Sequence, residues 1–101
     1  MIKKNLNATY IKKILEKIKN LFREHSVKKI GLFGSFLYRN HKKSSDIDFI
    51  VVFNKPTFDN YMGLKFLLEK LFNKKVDLVT ESSLKPALKY VKEEAIYAKR
   101  I

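Results

Sequence analysis

The sequence contains no cysteine, no apolar run of membrane-spanning length, and only ten acidic residues against 22 basic ones. The lack of cysteine excludes disulfide bonds and thiolate metal sites, which fits a cytoplasmic protein. The lysine-rich start lacks the apolar core of a signal peptide, so we expect neither secretion nor a membrane segment. Internal repeats, low-complexity segments and linkers are absent as well.

Length and composition indicate one globular unit. The 101 residues are 46% hydrophobic and 13% aromatic, which favours a folded chain over a disordered one. We expect a single domain over residues 1–101, with room for one modest core.

The net charge of +12 suggests an anionic partner. Lysine and arginine neutralise phosphates, so nucleic acid is one candidate. The basic residues, however, are spread along the whole chain. An acidic protein partner or a nucleoside triphosphate explains the charge equally well, and nucleic acid is not the favoured partner.

Hydrophobic periodicity predicts alternating helices and strands, with Asn7 and Thr57 as N-caps and Pro86 in a first helical turn. The predicted helices cover residues 8–25, 36–40, 57–72 and 85–99, and the predicted strands cover 27–33, 46–53 and 75–80. This order predicts an α/β domain whose helices cover a small sheet, mainly on one side.

A Gly34-Ser35 turn and the pair Asp46 and Asp48 form the most informative stretch. Alternate residues of a strand share a face, so the two carboxylates project to the same side. They repel each other, and Mg²⁺ bound to carboxylates and substrate phosphates removes that conflict. Gly34 permits close approach of a phosphate, which the Ser35 hydroxyl and free N–H groups can bind. The stretch therefore predicts a site for a metal-bound nucleoside triphosphate.

Simpler interpretations of the same residues remain open. An Asp-x-Asp pair is often a strand cap or a solvated pair, and Gly-Ser is an ordinary turn. A phosphatase-type pair follows a buried strand, whereas Asp46 and Asp48 precede one. The run from Gly31 to Gly34 has the form of an RNA-binding KH clamp, but its apolar centre suits that role poorly. His41 fits a solvent-facing loop.

A third carboxylate, Asp77, lies inside the predicted strand 75–80. A lone Asp in an apolar strand is unfavourable unless it is paired or bound to metal. If this strand lies beside strand 46–53, Asp77 completes a three-carboxylate cluster with Asp46 and Asp48. The alternative is a surface Asp on an edge strand. No Ser-His-Asp or Cys-His set competes for the chemistry.

In combination, Phe33-Gly34-Ser35, the pattern Ser45-Asp46-Ile47-Asp48 and the run from Lys75 to Thr80 resemble the minimal nucleotidyltransferases, small relatives of the DNA polymerase β superfamily. The resemblance covers about residues 28–98. It implies a small α+β nucleotidyltransferase fold with a three-stranded mixed core sheet. It further implies that Asp46, Asp48 and Asp77 are catalytic and bind metal, and that Gly34 and Ser35 bind the nucleotide.

The chain departs from the family pattern just after the glycine motif. Many members have Arg and then Gly at the fourth and fifth positions after the motif glycine, whereas this chain has Tyr38 and then Arg39. Arg39 can supply the nucleotide-binding charge from one position later, or Lys42 and Lys43 can do so.

The resemblance also implies a reaction and a partner. Many family members are antitoxins encoded beside a helical toxin of the HEPN type, and some transfer AMP from ATP to a tyrosine of that toxin. We therefore expect a Mg²⁺-dependent transfer of AMP from ATP, with one or two metals, to a hydroxyl of a HEPN-type toxin. Two alternatives stay open: a non-catalytic antitoxin that acts by binding, and a protein that modifies or binds nucleic acid. A homo-oligomer is compatible with any of these.

Overall fold

The computed structural model describes residues 7–36, 46–84, 86 and 90–98. The helices and strands of this part follow one another as α1 (Ala8–Lys17), α2 (Lys19–Glu24), β1 (Val27–Phe33), β2 (Ile47–Phe53), α3 (Phe58–Phe72), β3 (Val76–Thr80), α4 (Tyr90–Glu94) and β4 (Ile96–Tyr97). Short 3-10 turns occupy Gly34–Phe36 and Glu81–Ser83. None of the helices in the described part has the length and apolar character needed to cross a bilayer.

The strands form one mixed sheet in the order β3-β2-β1-β4. Strand β1 is antiparallel to both β2 and β4, and β2 is parallel to β3. The predicted three-stranded mixed core is therefore confirmed, and β4 adds a two-residue edge strand to it. The predicted bounds of β1 agree with the structure, and those of β2, α3 and β3 agree within one residue at each end.

One face of the sheet packs against α1, α2 and α3, and we call it the helix face. Its side chains alternate along each strand, as the two-residue strand period requires. The buried cluster on this face consists mainly of Ile11, Leu15 and Phe22 from the first two helices, Ile30, Leu32, Ile47, Phe49, Val51, Val76 and Leu78 from the strands, and Leu64, Leu68 and Phe72 from α3. The predicted packing of helices mainly on one side is confirmed.

The predicted helix over residues 8–25 is wrong in its continuity, because it is interrupted at Ile18. The N–H of Ile18 bonds to the carbonyl of Leu15, three residues back, at 3.4 Å. This is a tightened 3-10-type turn, which periodicity does not detect because Phe22 still returns to the buried side. Asn7 caps α1 as predicted, by accepting a hydrogen bond from the N–H of Tyr10 at 2.9 Å.

The predicted helix over residues 85–99 is also wrong at its end. Helix α4 stops at Glu94, and Tyr97 then pairs with Gly31 of β1. The N–H of Ala98 continues this pairing by bonding to the carbonyl of Ile30 at 2.9 Å. The free edge of β1 supplies these backbone partners, and helical spacing within one segment cannot reveal a distant edge. Residues 85 and 87–89 lie outside the described part.

Candidate active site

Two carboxylates lie side by side on the face of the sheet opposite the helix face, which we call the open face. Asp48 is the direct partner of Asp77 in the parallel pair of β2 and β3, and Phe33 is the partner of Asp48 in the antiparallel pair of β1 and β2. We call these three residues the acid row. Neighbouring strands lie about 4.8 Å apart, so the two carboxylates are close neighbours. Asp48 is half-buried and Asp77 is exposed.

Gly34 lies directly against Asp48. Its φ of +78° is in the left-handed region, which side chains other than glycine rarely adopt. A Cβ at this position would overlap with Oδ2 of Asp48 and would lie 2.8 Å from its Cγ. Both the backbone angle and the contact therefore require glycine here. The 3-10 turn of Gly34–Phe36 is anchored by Phe36, which is 1% exposed.

A cavity of about 530 Å³ opens above the acid row. Its polar end is formed by Gly34, Asp48 and Asp77, and its remaining wall is mostly apolar. That wall consists of Phe33, Val79, Ser83, Leu84, Tyr90, Val91 and Glu94. The volume is in the range of small-molecule sites, and a few polar groups at one end of an apolar wall are typical of them.

Asp46 occupies a different position from the other two acids. It is exposed and immediately precedes β2, and it does not belong to the cavity lining. Within residues 7–36, 46–84, 86 and 90–98, no three His, Asp or Glu side chains are grouped closely enough to hold a metal ion. The structure thus brings Asp48 and Asp77 together and leaves Asp46 outside the row.

The acid row nevertheless has a donor set that suits one magnesium ion. Mg²⁺ usually takes one or two protein carboxylates and completes its octahedron with water and substrate phosphates. Asp48 and Asp77 provide such a pair in the lining of the cavity. Two adjacent carboxylates without a cation repel each other, so a bound cation would relieve that repulsion.

Two predicted nucleotide ligands cannot be placed in this site. Arg39 falls within residues 37–45, which lie outside the described part, and so do Tyr38, His41, Lys42 and Lys43. Ser35 belongs to the 3-10 turn that follows β1, but its side chain is not among those described. The roles of Ser35 and Arg39 therefore remain predictions.

Sequence reasoning missed the residues that enclose the site from the C-terminal side. Ser83 and Glu94 line the cavity without belonging to any recognised motif. Tyr90 also lines the cavity, and it is 53% exposed. The position of this wall depends on how α4 packs relative to the sheet, which the sequence does not reveal. The only signal in the sequence was an aromatic residue, Tyr90, close to an acidic one, Glu94.

Tyr97, which lies on the open face, has a hydroxyl whose pKa is raised. Burial raises the pKa of its hydroxyl, and a hydrogen bond to Glu81 and the negative charge of that residue raise it further. The hydroxyl donates to Oε2 of Glu81 at 2.8 Å. Tyr97 is therefore a neutral hydrogen-bond donor at physiological pH.

Comparison with known proteins relates this chain to the nucleotidyltransferases. Residues 11–101 match the family model described as the nucleotidyltransferase domain. The protein adenylyltransferase MntA of Thermococcus cleftensis is 39% identical over 95 residues, which are 91% of this chain and 96% of that protein.

Two solved structures extend the comparison. A protein provisionally named a minimal nucleotidyltransferase aligns with a TM-score of 0.76 at 30% identity, over 91% of this chain and 96% of its own. A complex of tri-AMPylated Shewanella oneidensis HEPN toxin with an MNT antitoxin aligns with a TM-score of 0.52 at 27% identity, over 76% of this chain and 61% of that chain.

Proposed function

Because this chain belongs to the nucleotidyltransferase domain family, we propose that it transfers AMP from ATP to a protein hydroxyl group. The observation that carries this proposal is the acid row beside Gly34 at the end of an open cavity. A triphosphate needs charge neutralisation and close backbone approach, and these residues offer both. Adenine suits the apolar part of the cavity wall.

Each site residue has a proposed role. Asp48 and Asp77 would hold Mg²⁺, which when bound would neutralise phosphate charge and polarise a phosphoryl oxygen. Gly34 lets the backbone lie close to the phosphates, and Ser35 and Arg39 are proposed to bind them. Asp46 is proposed as a further acidic ligand.

The reaction exchanges one phosphorus–oxygen bond for another. The acceptor oxygen forms a bond to the α-phosphorus, and the bond from that phosphorus to the bridging oxygen breaks to release pyrophosphate. The acceptor proton goes to a carboxylate, for which Asp77 is the proposed base. Positioning and electrostatic stabilisation supply most of the acceleration in such transfers.

The proposed acceptor is a tyrosine of a HEPN-type toxin encoded beside this protein. The AMPylated HEPN toxin in the related complex supports this choice. An open cavity with a large exposed aromatic at its rim is accessible to a side chain presented by another protein. The net charge of +12 favours both an anionic nucleotide and an acidic partner surface.

The acceptor can be identified by mass spectrometry. The purified protein, ATP, Mg²⁺ and the product of the adjacent gene would be incubated together, and the partner analysed intact and after proteolysis. We expect the partner to gain the mass of one or more AMP groups on tyrosine. Pyrophosphate release without AMP on the partner would contradict the proposed acceptor, and no cleavage of ATP would contradict the transfer itself.

A second candidate function is neutralisation of the toxin by binding alone. The position of Asp46 outside the acid row favours it, because the expected cluster of three carboxylates is reduced to two in the described part. An Asp46→Asn/Asp48→Asn double variant separates the two functions. Loss of neutralisation in that variant supports enzymatic action, whereas unchanged neutralisation with tight complex formation supports a binding scaffold.

A further inference from the structure

Three side chains at the far end of the open face are joined by direct contacts. Nζ of Lys29 lies 3.2 Å from Oε2 of Glu81. The hydroxyl of Tyr97 donates to the same oxygen at 2.8 Å. The ammonium group of Lys29 also lies 4.4 Å from the centre of the Tyr97 ring, within cation–π range. We call Lys29, Glu81 and Tyr97 the clasp.

The clasp spans the width of the core sheet. Lys29 of β1 is the partner of Val52 of β2, and Glu81 follows Thr80, the last residue of β3. Two strand spacings amount to about 10 Å, a gap that only long side chains such as lysine and glutamate can bridge. Glu81 therefore connects the segment after β3 to β1 and β4, which pair with each other but not with β3.

The ring of Tyr97 covers the sheet between the Lys29–Glu81 pair and the acid row. A Cβ at Gly31 would lie 2.8 Å from its ring, so the ring rests directly on the glycine backbone. The next position across the sheet is Ile50, the partner of Gly31. Ile50 is fully buried although it does not belong to the helix-face cluster. The chain after β3 thus covers part of the open face.

The segments that contain Glu81 and Tyr97 both continue into the cavity wall. Glu81 begins the 3-10 turn whose end contributes Ser83, followed by Leu84. Tyr97 lies in β4, just after α4, which contributes Tyr90 and Val91. Val91 is only 8% exposed. The acid row has no part in the clasp, but the wall facing it is attached there.

We propose that Lys29, Glu81 and Tyr97 are positioning residues for the nucleotide site: they fix the wall formed by Leu84 and α4 over the acid row. This inference rests on the proposed function. The wall contacts the nucleoside part of ATP, and the acid row contacts the reacting phosphates. Loosening the clasp should therefore weaken nucleotide binding and leave the rate of the chemical step nearly unchanged.

The elevated pKa of Tyr97 agrees with this role. The hydroxyl keeps its proton far above neutral pH, because burial and the Glu81 carboxylate both disfavour the phenolate. Glu81 is well shielded, with its side chain 18% exposed, whereas Lys29 is 47% exposed. The hydrogen bond from Tyr97 to Glu81 is accordingly the more protected of the two polar contacts.

The test compares two tyrosine-to-phenylalanine variants. Tyr97→Phe removes the clasp hydroxyl and keeps the ring over Gly31. Tyr61→Phe is the matched control, since Tyr61 donates to the carbonyl of Leu78 at 2.6 Å but forms no part of the cavity wall. The measurements are the Kd of α,β-methylene ATP with Mg²⁺, kcat and KM for ATP, and the melting temperature.

We expect Tyr97→Phe to raise the Kd and KM roughly ten-fold, as loss of a hydrogen bond to a charged group does, with kcat changed less than about two-fold. Glu81→Gln keeps an acceptor for Tyr97 and loses only the charge, so its Kd should rise about three-fold. Tyr61→Phe should lower the melting temperature without changing the Kd.

Three results would overturn the inference: a Kd unchanged in Tyr97→Phe, an equal rise in Tyr61→Phe, or a fall in kcat with unchanged KM. The Kd measurement also separates this inference from the proposed function. A wild-type protein that binds the analogue but transfers no AMP contradicts the proposed function. In that case the Kd values of the variants still test the positioning role of the clasp. A wild-type protein that binds no analogue contradicts both.

Discussion

The same three strands carry a buried apolar row on one face of the sheet and the acid row on the other. On the helix face, Leu32, Phe49 and Leu78 form one row across three strands, and each is at most 4% exposed. One residue along, the open face presents the acid row of Phe33, Asp48 and Asp77. Because strand side chains alternate, a slip of one residue would exchange the two rows. The apolar row therefore fixes the register that places the carboxylates.

The largest change in stability is expected from truncating the helix face. Phe49→Ala removes a fully buried ring that packs 6.0 Å from the ring of Phe72. Such a cavity should lower the free energy of unfolding by about 3–5 kcal/mol. Urea denaturation measures the change, and Phe58→Ala is the control because Phe58 is 76% exposed. Equal losses in the two variants would contradict the assigned helix face.

An intermediate loss of stability is expected from replacing Gly34, where the open face meets the turn after β1. Gly34→Ala combines a strained positive φ with overlap on Asp48 and should cost about 1–3 kcal/mol of stability. It should also abolish transfer, because the Asp48 carboxylate is displaced.

Asn73→Ala is the control that separates the effect of backbone strain from the effect of the contact with Asp48. Asn73 has a similar φ of +52° but lies at the end of α3 and does not line the cavity. We expect it to lose about 1 kcal/mol with normal transfer activity. Normal activity in Gly34→Ala would show that its contact with Asp48 is unimportant.

The smallest stability effect is expected from making the open face resemble the helix face. Asp77 lies exposed on the edge strand β3, beside Asp48. Asp77→Val removes the repulsion between carboxylates and introduces a good strand former, so stability without Mg²⁺ should rise by up to about 1 kcal/mol. Transfer should be lost at the same time. A destabilised Asp77→Val protein would mean that the carboxylate contributes to the fold itself.

The core of this fold was predictable because its information is local. The apolar content of β1 and β2, the alternation in β3 and the helical spacing in α3 each lie within one segment, and these four predicted elements agree with the structure. The motif around Gly34 and Asp48 also predicted the family, which the family match confirms. Periodicity and motif spacing suffice for both results.

The remaining features depend on contacts between distant segments. Strand β4 exists because Tyr97 meets the edge of β1, which no pattern near residue 97 encodes. Asp46 was expected to project to the same side as Asp48 and to form a cluster with it and Asp77. It precedes β2, which begins at Ile47, and the three carboxylates do not form such a cluster. The clasp joins residues 29, 81 and 97, and only the folded sheet brings them together.

The most direct test of the acid row is label transfer from ATP labelled at the α-phosphate, with Mg²⁺ and the proposed toxin partner. Asp48→Asn is compared with Asp59→Asn, which changes an exposed carboxylate in the first turn of α3. We expect Asp48→Asn to reduce transfer by at least about 100-fold, as loss of one preorganised charge contact at a reacting phosphate does, and Asp59→Asn to retain it. A folded Asp48→Asn protein that transfers label at the wild-type rate would contradict the assignment of the open face as the active site.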